Sequence, residues 1–498
     1  MSENPVPWRK IHTLPDSAAL RGYLAELGME MPVDDRLLPA ERSPLGQPMT
    51  AGALTICNRF AIQPMEGWDA TPDGRPTPDL LRRWRRFGES GAKLIWGGEA
   101  FAVCHEGRAN PNQLCFNAHS LEGLTLLRQT LVRAHEARYG GEGLVVGLQL
   151  THSGRFCRPN EKTRAEPRIA YHHPILDRRM GLPGDFPILT DAEIESIIGA
   201  YVAAAKAAWE AGFDFVDVKH CHGYLGHELL SAVDRPGRYG GAFENRTRFL
   251  AEIVQGVRRE APGLALAVRL SAFDFLPYRP DPQTSRPGRP GLGVPEDVPG
   301  SPRPYRYAFG ADPFHPEDRY DLTEPCRLLA LLQGMGIRLV NITAGSPYYN
   351  PHIQRPAWYP PSDGYQPPED PLVGVARQAA VVAQLKARLP DLVFVGSAYT
   401  YLQEFLPLAA QAAVGQGRTD LVGIGRMALA YPTLPADILS GSGQITRPKQ
   451  LCRTFSDCTT APRNGLPSGC YPLDEHYKAK PERKTLVQLK RAAGREEG

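Results

Sequence analysis

The stretch Leu144-Val145-Val146-Gly147-Leu148-Gln149-Leu150 is apolar at nearly every position, the pattern of a strand covered on both faces rather than one that alternates toward solvent. Working outward from it, similar short runs recur at 59–63, 93–96, 213–218, 264–270, 337–342, 392–395 and 421–424, which makes eight in all. Amphipathic stretches lie between them, among them 191–211, 245–260, 326–335 and 373–389, each with apolar residues three and four apart. Eight strand–helix alternations predict an α/β fold, a closed (β/α)8 TIM barrel. A doubly wound open sheet is the alternative that periodicity leaves standing. The count of eight and the lack of an early Gly-rich dinucleotide turn favour the barrel.

Two segments interrupt the alternation. Residues 277–316 are dense in Pro, Gly and Arg and poor in apolar residues, so they read as an insertion after the fifth strand that cannot bury a core of its own: a lid, a contact between copies in a homo-oligomer, or a disordered loop. The second is the tail beyond Ser440, which carries Cys452, Cys458 and Cys470 and ends in a charged stretch, Lys478 to Gly498, expected to be solvated or to form one exposed helix. The chain therefore divides into an N-terminal extension at 1–43, a barrel at 44–440 and a tail at 441–498.

Composition excludes several classes. The 57 basic and 54 acidic residues are spread along the chain, and a net charge of +3 gives no footprint for nucleic acid. Met1 to Lys10 lacks the apolar core of a signal peptide and no run of eighteen apolar residues follows, so the expectation is a soluble cytoplasmic protein with a small-molecule substrate and no membrane or nucleic-acid partner. The nine cysteines are mostly scattered and do not form a disulfide framework.

In a barrel of this kind the chemistry gathers just past the C-terminal ends of the strands. There the sequence places Pro64, Met65 and Glu66 after the first run, Ala100 after the second, Gln149 in the third, Lys219, His222 and Tyr224 after the fourth, Arg269 in the fifth, Gly396 and Ser397 after the seventh, and Gly425 with Arg426 after the eighth. Gly396-Ser397 and Gly425-Arg426 supply small residues and a guanidinium suited to a phosphate. The Gln149 amide matches the carbonyl and N–H edge of a flavin, and Arg269 can offset the charge of a reduced one. Together these residues point to flavin mononucleotide (FMN). Read singly, Gln149 is an ordinary buried amide and Arg269 half of an interior ion pair, so the set carries the argument. In Asp217-Val-Lys-His-Cys-His-Gly-Tyr224, His222 can donate to a substrate carbonyl and Tyr224, with an ordinary pKa of about 10, keeps a proton for a developing enolate. His220 and Cys221 are expected to face the barrel wall.

Several segments resemble the old yellow enzyme family. Asn58-Arg-Phe-Ala-Ile-Gln-Pro-Met65 resembles its opening strand, Gln149-Leu-Thr-His-Ser-Gly-Arg155 its third-strand motif, and His222-Gly-Tyr224 followed by Tyr239-Gly-Gly-Ala-Phe-Glu-Asn-Arg246 its longest signature. Val268-Arg-Leu270 is similar to the segment bearing the flavin arginine, and Gly425-Arg426 to the phosphate-binding pair. The resemblance runs from about Pro44 to Leu439. It implies an ene-reductase cycle in which NADH or NADPH reduces FMN and FMN reduces an activated alkene, with Tyr224 as proton donor and His222 and Lys219 as substrate electrophiles. The chain departs from the pattern twice: Lys219 stands where the family commonly has histidine, and Glu66 where Thr or Cys often follows Pro-Met. A carboxylate beside the ring would make reduction harder unless Glu66 turns outward.

The clustered cysteines are similar to the dienoyl-CoA reductase and trimethylamine dehydrogenase branch, whose members hold a 4Fe–4S cluster. Phe455 stands where that branch has its second ligand, and three thiolates fall short of four. The expectation is a degenerate cluster region without iron and without the branch's C-terminal nucleotide domains; a zinc site completed by His476 is the lesser reading. Two rivals stand beside the flavoenzyme. One is a metal-dependent barrel hydrolase using Asp217, His220 and His222. The other is a flavin-binding scaffold without turnover.

Overall fold

The computed structural model describes residues 8–286, 289–296, 304–440 and 444–493. All eight apolar runs are parallel strands: β1 (Phe60–Ile62), β2 (Leu94–Ile95), β3 (Val145–Thr151), β4 (Phe215–Val218), β5 (Ala265–Ser271), β6 (Leu339–Thr343), β7 (Val393–Gly396) and β8 (Leu421–Ile424). Each pairs with the next, and β8 returns to β1 with Ile424 opposite Ile62, so the sheet closes. The open-sheet alternative is thereby excluded. A short extra strand, Ala100–Ala102, runs beside the end of β3 with Ala100 opposite Gln149. It is offset from β2 by Gly97 and Gly98, both at positive φ, where an ideal Cβ would lie 2.7 Å from the Gln149 nitrogen and 2.6 Å from the Trp84 ring.

Helices α1 (Pro78–Gly88), α2 (Ser120–Tyr139), α3 (Asp191–Glu210), α4 (Arg248–Glu260), α5 (Thr323–Gly334), α6 (Pro371–Arg388) and α7 (Leu406–Gly415) follow the first seven strands in turn, and the short α8 (Arg426–Ala430) follows β8. Local chemistry sets their starts. Thr190 and Glu193 form a reciprocal capping box at α3, and Asp370 accepts from Leu372 N at α6 with Pro371 in the first turn. α3 then buries Ile194, Ile197, Ile198, Tyr201, Ala205 and Ala208 against the barrel, and each large side chain so covered contributes about 1.5–3 kcal/mol.

Strand periodicity explains where the polar groups go. One parity of each strand (Phe60, Ile95, Val146, Val216, Val268, Val340, Phe394, Val422) packs outward on the helices. The other parity (Ala61, Leu94, Val145, Phe215, Ala267, Leu339, Val395, Leu421) fills the bottom of the barrel, together with Ala51 and Ile56 from a hairpin, Met49–Ala51 with Leu54–Ile56, that plugs that end. Gly147 is required in this layer, because a Cβ there would lie 2.2 Å from the Phe215 ring. Continuing the inward parity toward the strand ends gives Gln63, Gln149, Asp217, Arg269, Asn341 and Ser397, a polar layer over an apolar floor.

Two sequence expectations need correction. The insertion buries more than its composition suggests: Tyr305 and Ala308 form a small cluster with Ile175 and Leu276, and Tyr278–Pro280 pairs with Gly293–Pro295 in a hairpin that Gln366 hydrogen-bonds on both sides of Leu292. Its tyrosines supply the apolar area; residues 287–288 and 297–303 lie outside the described part. The charged tail carries a helix, Glu482–Ala492, but not a fully exposed one. Leu486 packs with Ala461, Tyr471 and Tyr477, and Lys490 pairs with Asp457 at 2.8 Å, while residues 494–498 are not described. The N-terminal extension packs onto the barrel. Helix Ser17–Glu26 buries Leu20, Tyr23 and Leu24 in the main core, and the Tyr23 hydroxyl donates to Asp370. Among the described residues no helix is long and apolar enough to cross a membrane.

Candidate active site

A cleft of about 1140 Å³, including the part open to solvent, lies over the polar layer at the C-terminal ends of the strands. Pro64, Met65, Glu66, Gln149, Lys219, His222, Tyr224, Arg269, Ser397, Gly425 and Arg426 all line it. Ala100 and Gly396 are buried in strands next to it. The Ala100 carbonyl accepts from Gln113 at 3.0 Å, and Gly396 carries β7 to Ser397.

At the floor, the buried Asp217 carboxylate accepts from Gln149 Nε2 at 2.6 Å, Trp96 Nε1 at 2.7 Å and Arg269 N at 2.6 Å. Burial raises its pKa and the three donors oppose that rise. With an N–H of Gln149 committed to Asp217, its Oε1 is the acceptor left for a ligand. Arg269, 7% exposed, has its Nε buried without a protein acceptor. Ser397 Oγ accepts from Gln63, whose amide also exchanges hydrogen bonds with Asn341.

One end of the cleft is strongly cationic. Arg426 donates to the Pro356 carbonyl at 2.8 Å, yet its Nη1 is buried without a partner, and so are Nε and Nη2 of Arg355. Arg355 gives its remaining nitrogen to Thr459. Burial and then the neighbouring Arg426 and Arg463 pull its pKa down to about 9. Arg463 itself is paired with Asp363 at 2.5 Å. Arg355 and Arg463, together with Gln63 and Tyr348, escaped the sequence reading. Arg355 sits in a short loop segment after β6, and Arg463 ends a tail helix, Asp457–Arg463, that folds back over the cleft.

The candidate acid–base groups adjoin the cationic end, with the Arg463 guanidinium 5.7 Å from the Tyr348 ring centroid. Glu66 accepts from Trp68 Nε1 at 2.8 Å, Gln113 Nε2 at 3.1 Å, Lys219 Nζ at 3.2 Å and the Tyr224 hydroxyl at 3.1 Å. Gly67 N, next in sequence, donates to Glu99 at 2.9 Å, and Arg83 holds Glu99 in turn, which fixes this turn. The Tyr224 and Tyr348 hydroxyls are 2.8 Å apart, and Tyr348 stacks on Phe156 with centroids 4.0 Å apart. Burial first, then Glu66, pushes the Tyr224 pKa well above its ordinary value. His222 adopts φ +66, with its backbone pinned by Ser271 and Ser346, and its Nε2 lies 3.2 Å from Gln354 Nε2. Burial, then Arg269 and Lys219, holds this imidazole well below its usual range, so it is neutral.

The side chains of the metal-hydrolase reading do not converge. Asp217 is committed to three N–H donors, and His220 turns its ring to Phe249 with Nδ1 on the Val218 carbonyl at 3.0 Å. In the tail, Cys452, Cys458 and Cys470 are free thiols with pKa values raised by burial, to about 11 for Cys452, and Cys458 lines the cleft. Phe455 stacks on Tyr359, and His476 bonds Asp79 at 2.8 Å. Among the described residues no group of three His, Cys, Asp or Glu side chains has metal-binding geometry.

This barrel, with polar strand ends around one cleft, matches a known protein class. Residues 44–281 match the model of the NADH:flavin oxidoreductase / NADH oxidase family. Two curated relatives are NADPH dehydrogenases, 34% identical over 244 residues in Geobacillus sp. (strain WCH70) and 36% over 228 residues in Clostridium acetobutylicum. The matches cover 47% and 45% of this chain and 64% and 62% of those proteins, so the chain spans less than two thirds of their length. Solved structures share the fold: a 2-naphthoyl-CoA reductase complex (TM-score 0.61, 18% identity, 89% of this chain and 58% of that one) and an old yellow enzyme homologue from Zymomonas mobilis (TM-score 0.51, 20% identity, 82% and 98%).

Proposed function

We propose that the protein is an FMN-dependent NAD(P)H oxidoreductase that reduces an activated alkene. The observation that carries this reading is the set of buried N–H groups without protein acceptors along one cleft: Arg269 Nε over the floor, and Arg426 Nη1 with Arg355 Nε and Nη2 at the cationic end. Donors that have lost water and found no acceptor cost about 1–3 kcal/mol each, a cost that a bound anion recovers. In this reading Arg269 would meet a ring carbonyl, and Arg426 and Arg355 a phosphate. The match of residues 44–281 to the NADH:flavin oxidoreductase / NADH oxidase family model supports the same cofactor.

Bound FMN would supply hydride transfer, accepting hydride from NADH or NADPH and passing it on. The chain's own residues would do the rest. Gln149, oriented by Asp217, would read the polar edge of the ring, and Arg269 would offset its negative charge. His222, neutral and held by its backbone, would donate to the substrate carbonyl, and Tyr224 would protonate the α-carbon. Pro64 and Met65 would form the wall beside the ring, and Gly396, Ser397 and Gly425 the small-residue rim near the phosphate.

The test is anaerobic. Purified protein loaded with FMN should bleach on addition of NADPH and regain its colour with an enone. Tyr224→Phe should keep the bleaching and slow recovery of colour by about 10²-fold or more. A protein that binds FMN yet is bleached by neither NADH nor NADPH sinks the proposal and favours the scaffold reading.

A further inference from the structure

The two residues that depart from the family resemblance, Glu66 and Lys219, lie 153 positions apart in sequence and form one ion pair at 3.2 Å. The pair closes on Tyr224. Its hydroxyl donates to Glu66 at 3.1 Å, and the Lys219 ammonium stands 3.9 Å from the centroid of its ring. Three groups thus contact one another in a triangle, with the Lys219 side chain 2% exposed. The other groups facing Tyr224 are the Tyr348 hydroxyl at 2.8 Å and the Arg463 guanidinium.

Charge decides what such a triangle does. A Tyr224 that has given up its proton is an anion at hydrogen-bond distance from a carboxylate, and the repulsion opposes the transfer. With an ammonium touching both, the transfer takes the three groups from neutral to one negative charge, rather than from one negative charge to two. Lys219 is committed to this pair and is not a free cation for the substrate.

We propose that Glu66 and Lys219 are a compensating pair that positions Tyr224 for proton transfer, Glu66 holding the hydroxyl and Lys219 offsetting the carboxylate while the phenolate exists. This rests on the proton-donor reading of Tyr224 given above. In the step concerned the Tyr224 O–H bond breaks and a C–H bond forms at the substrate α-carbon. The hydride for the β-carbon comes from the reduced cofactor, and the phenolate regains its proton from water. The pair also leaves His222 as the principal donor to the substrate carbonyl.

The test uses photoreduced, FMN-loaded full-length protein mixed anaerobically with 2-cyclohexen-1-one, following reoxidation. Lys219→Met, which leaves Glu66 uncompensated, should slow it by at least about tenfold, the equivalent of about 1.4 kcal/mol. Adding Glu66→Gln should restore most of the loss, and in a Tyr224→Phe background Lys219→Met should change nothing further. A loss that the double variant deepens, or an equal loss without the tyrosine hydroxyl, overturns the proposal. Tyr224→Phe running at the unmutated rate removes the proton-donor reading itself, and the pair's role with it. As a readout independent of cofactor, flavin-free Lys219→Met should melt below Glu66→Gln/Lys219→Met; the reverse order shows that the charges do not compensate one another.

Discussion

Asp217 Oδ2 accepts from the Gln149 amide at 2.6 Å, and both side chains rise from inward-facing positions of adjacent strands, paired in register. The carboxylate therefore decides which end of the amide a ligand meets. Asp217→Asn replaces an acceptor of three N–H groups with an amide that cannot accept them all. We expect FMN affinity to fall by about 10–100-fold and stability by about 1–3 kcal/mol. Fluorescence titration and urea unfolding measure the two.

Arg355 gives a pH signature. Its charge is present below a pKa of about 9 and lost above it, so FMN affinity should weaken as pH rises through that value in the unmutated protein, and Arg355→Ala should remove the dependence. Riboflavin, which lacks the phosphate, should bind the two proteins alike. The sign for stability is opposite. The folded pKa lies below the unfolded value, so the unfolded chain holds more protons and the flavin-free protein should gain stability from this group as pH climbs past about 9. Titrations at pH 7.5 and 9.5 with both ligands check the first part, and melts at the same pH values the second.

His222 should contribute no limb to the pH profile of alkene reduction near 6.5, because burial and the adjacent cations keep it neutral well below its ordinary range. A profile of the photoreduced enzyme between pH 5 and 8 reads this directly. An inflection near 6.5 that disappears in His222→Asn refutes the neutral assignment.

The last helix bears on the cleft at a distance. Lys490 pairs with Asp457, which opens the helix carrying Cys458, Thr459 and Arg463, and Leu486 is 1% exposed in the cluster beneath. Leu486→Ala should destabilise this layer by about 2–4 kcal/mol. Limited proteolysis should then cut the tail sooner, and FMN should bind more weakly although no cleft residue has changed.

Much of this was legible in the sequence. The eight strands stand out because burial on both faces makes each a continuous apolar run, and Gln149 and Arg269 because they stand at strand ends among other polar candidates, the set rather than either residue carrying the reading. Gly425-Arg426 was legible as a turn with a guanidinium at a strand end. Arg355 and Arg463 were not, since nothing local marks a loop arginine as facing a cleft and the tail had to fold back to bring Arg463 there. The Glu66–Lys219 pair was visible only as two unrelated departures. Glu66 was read as a threat to reduction of the flavin because its counter-ion lay on another strand. The insertion and the tail helix misled because average composition hid the few tyrosines and the leucine that anchor them.

The central claim is that one cleft holds one FMN by its ring at Arg269 and its phosphate at Arg426 and Arg355, and equilibrium titration of flavin-free protein tests it most directly. One equivalent per chain should bind, with Arg426→Ala and Arg355→Ala each weakening FMN by about tenfold or more while leaving riboflavin unchanged. Equal affinity for FMN and riboflavin in the unmutated protein, or no saturable flavin binding at all, would contradict it.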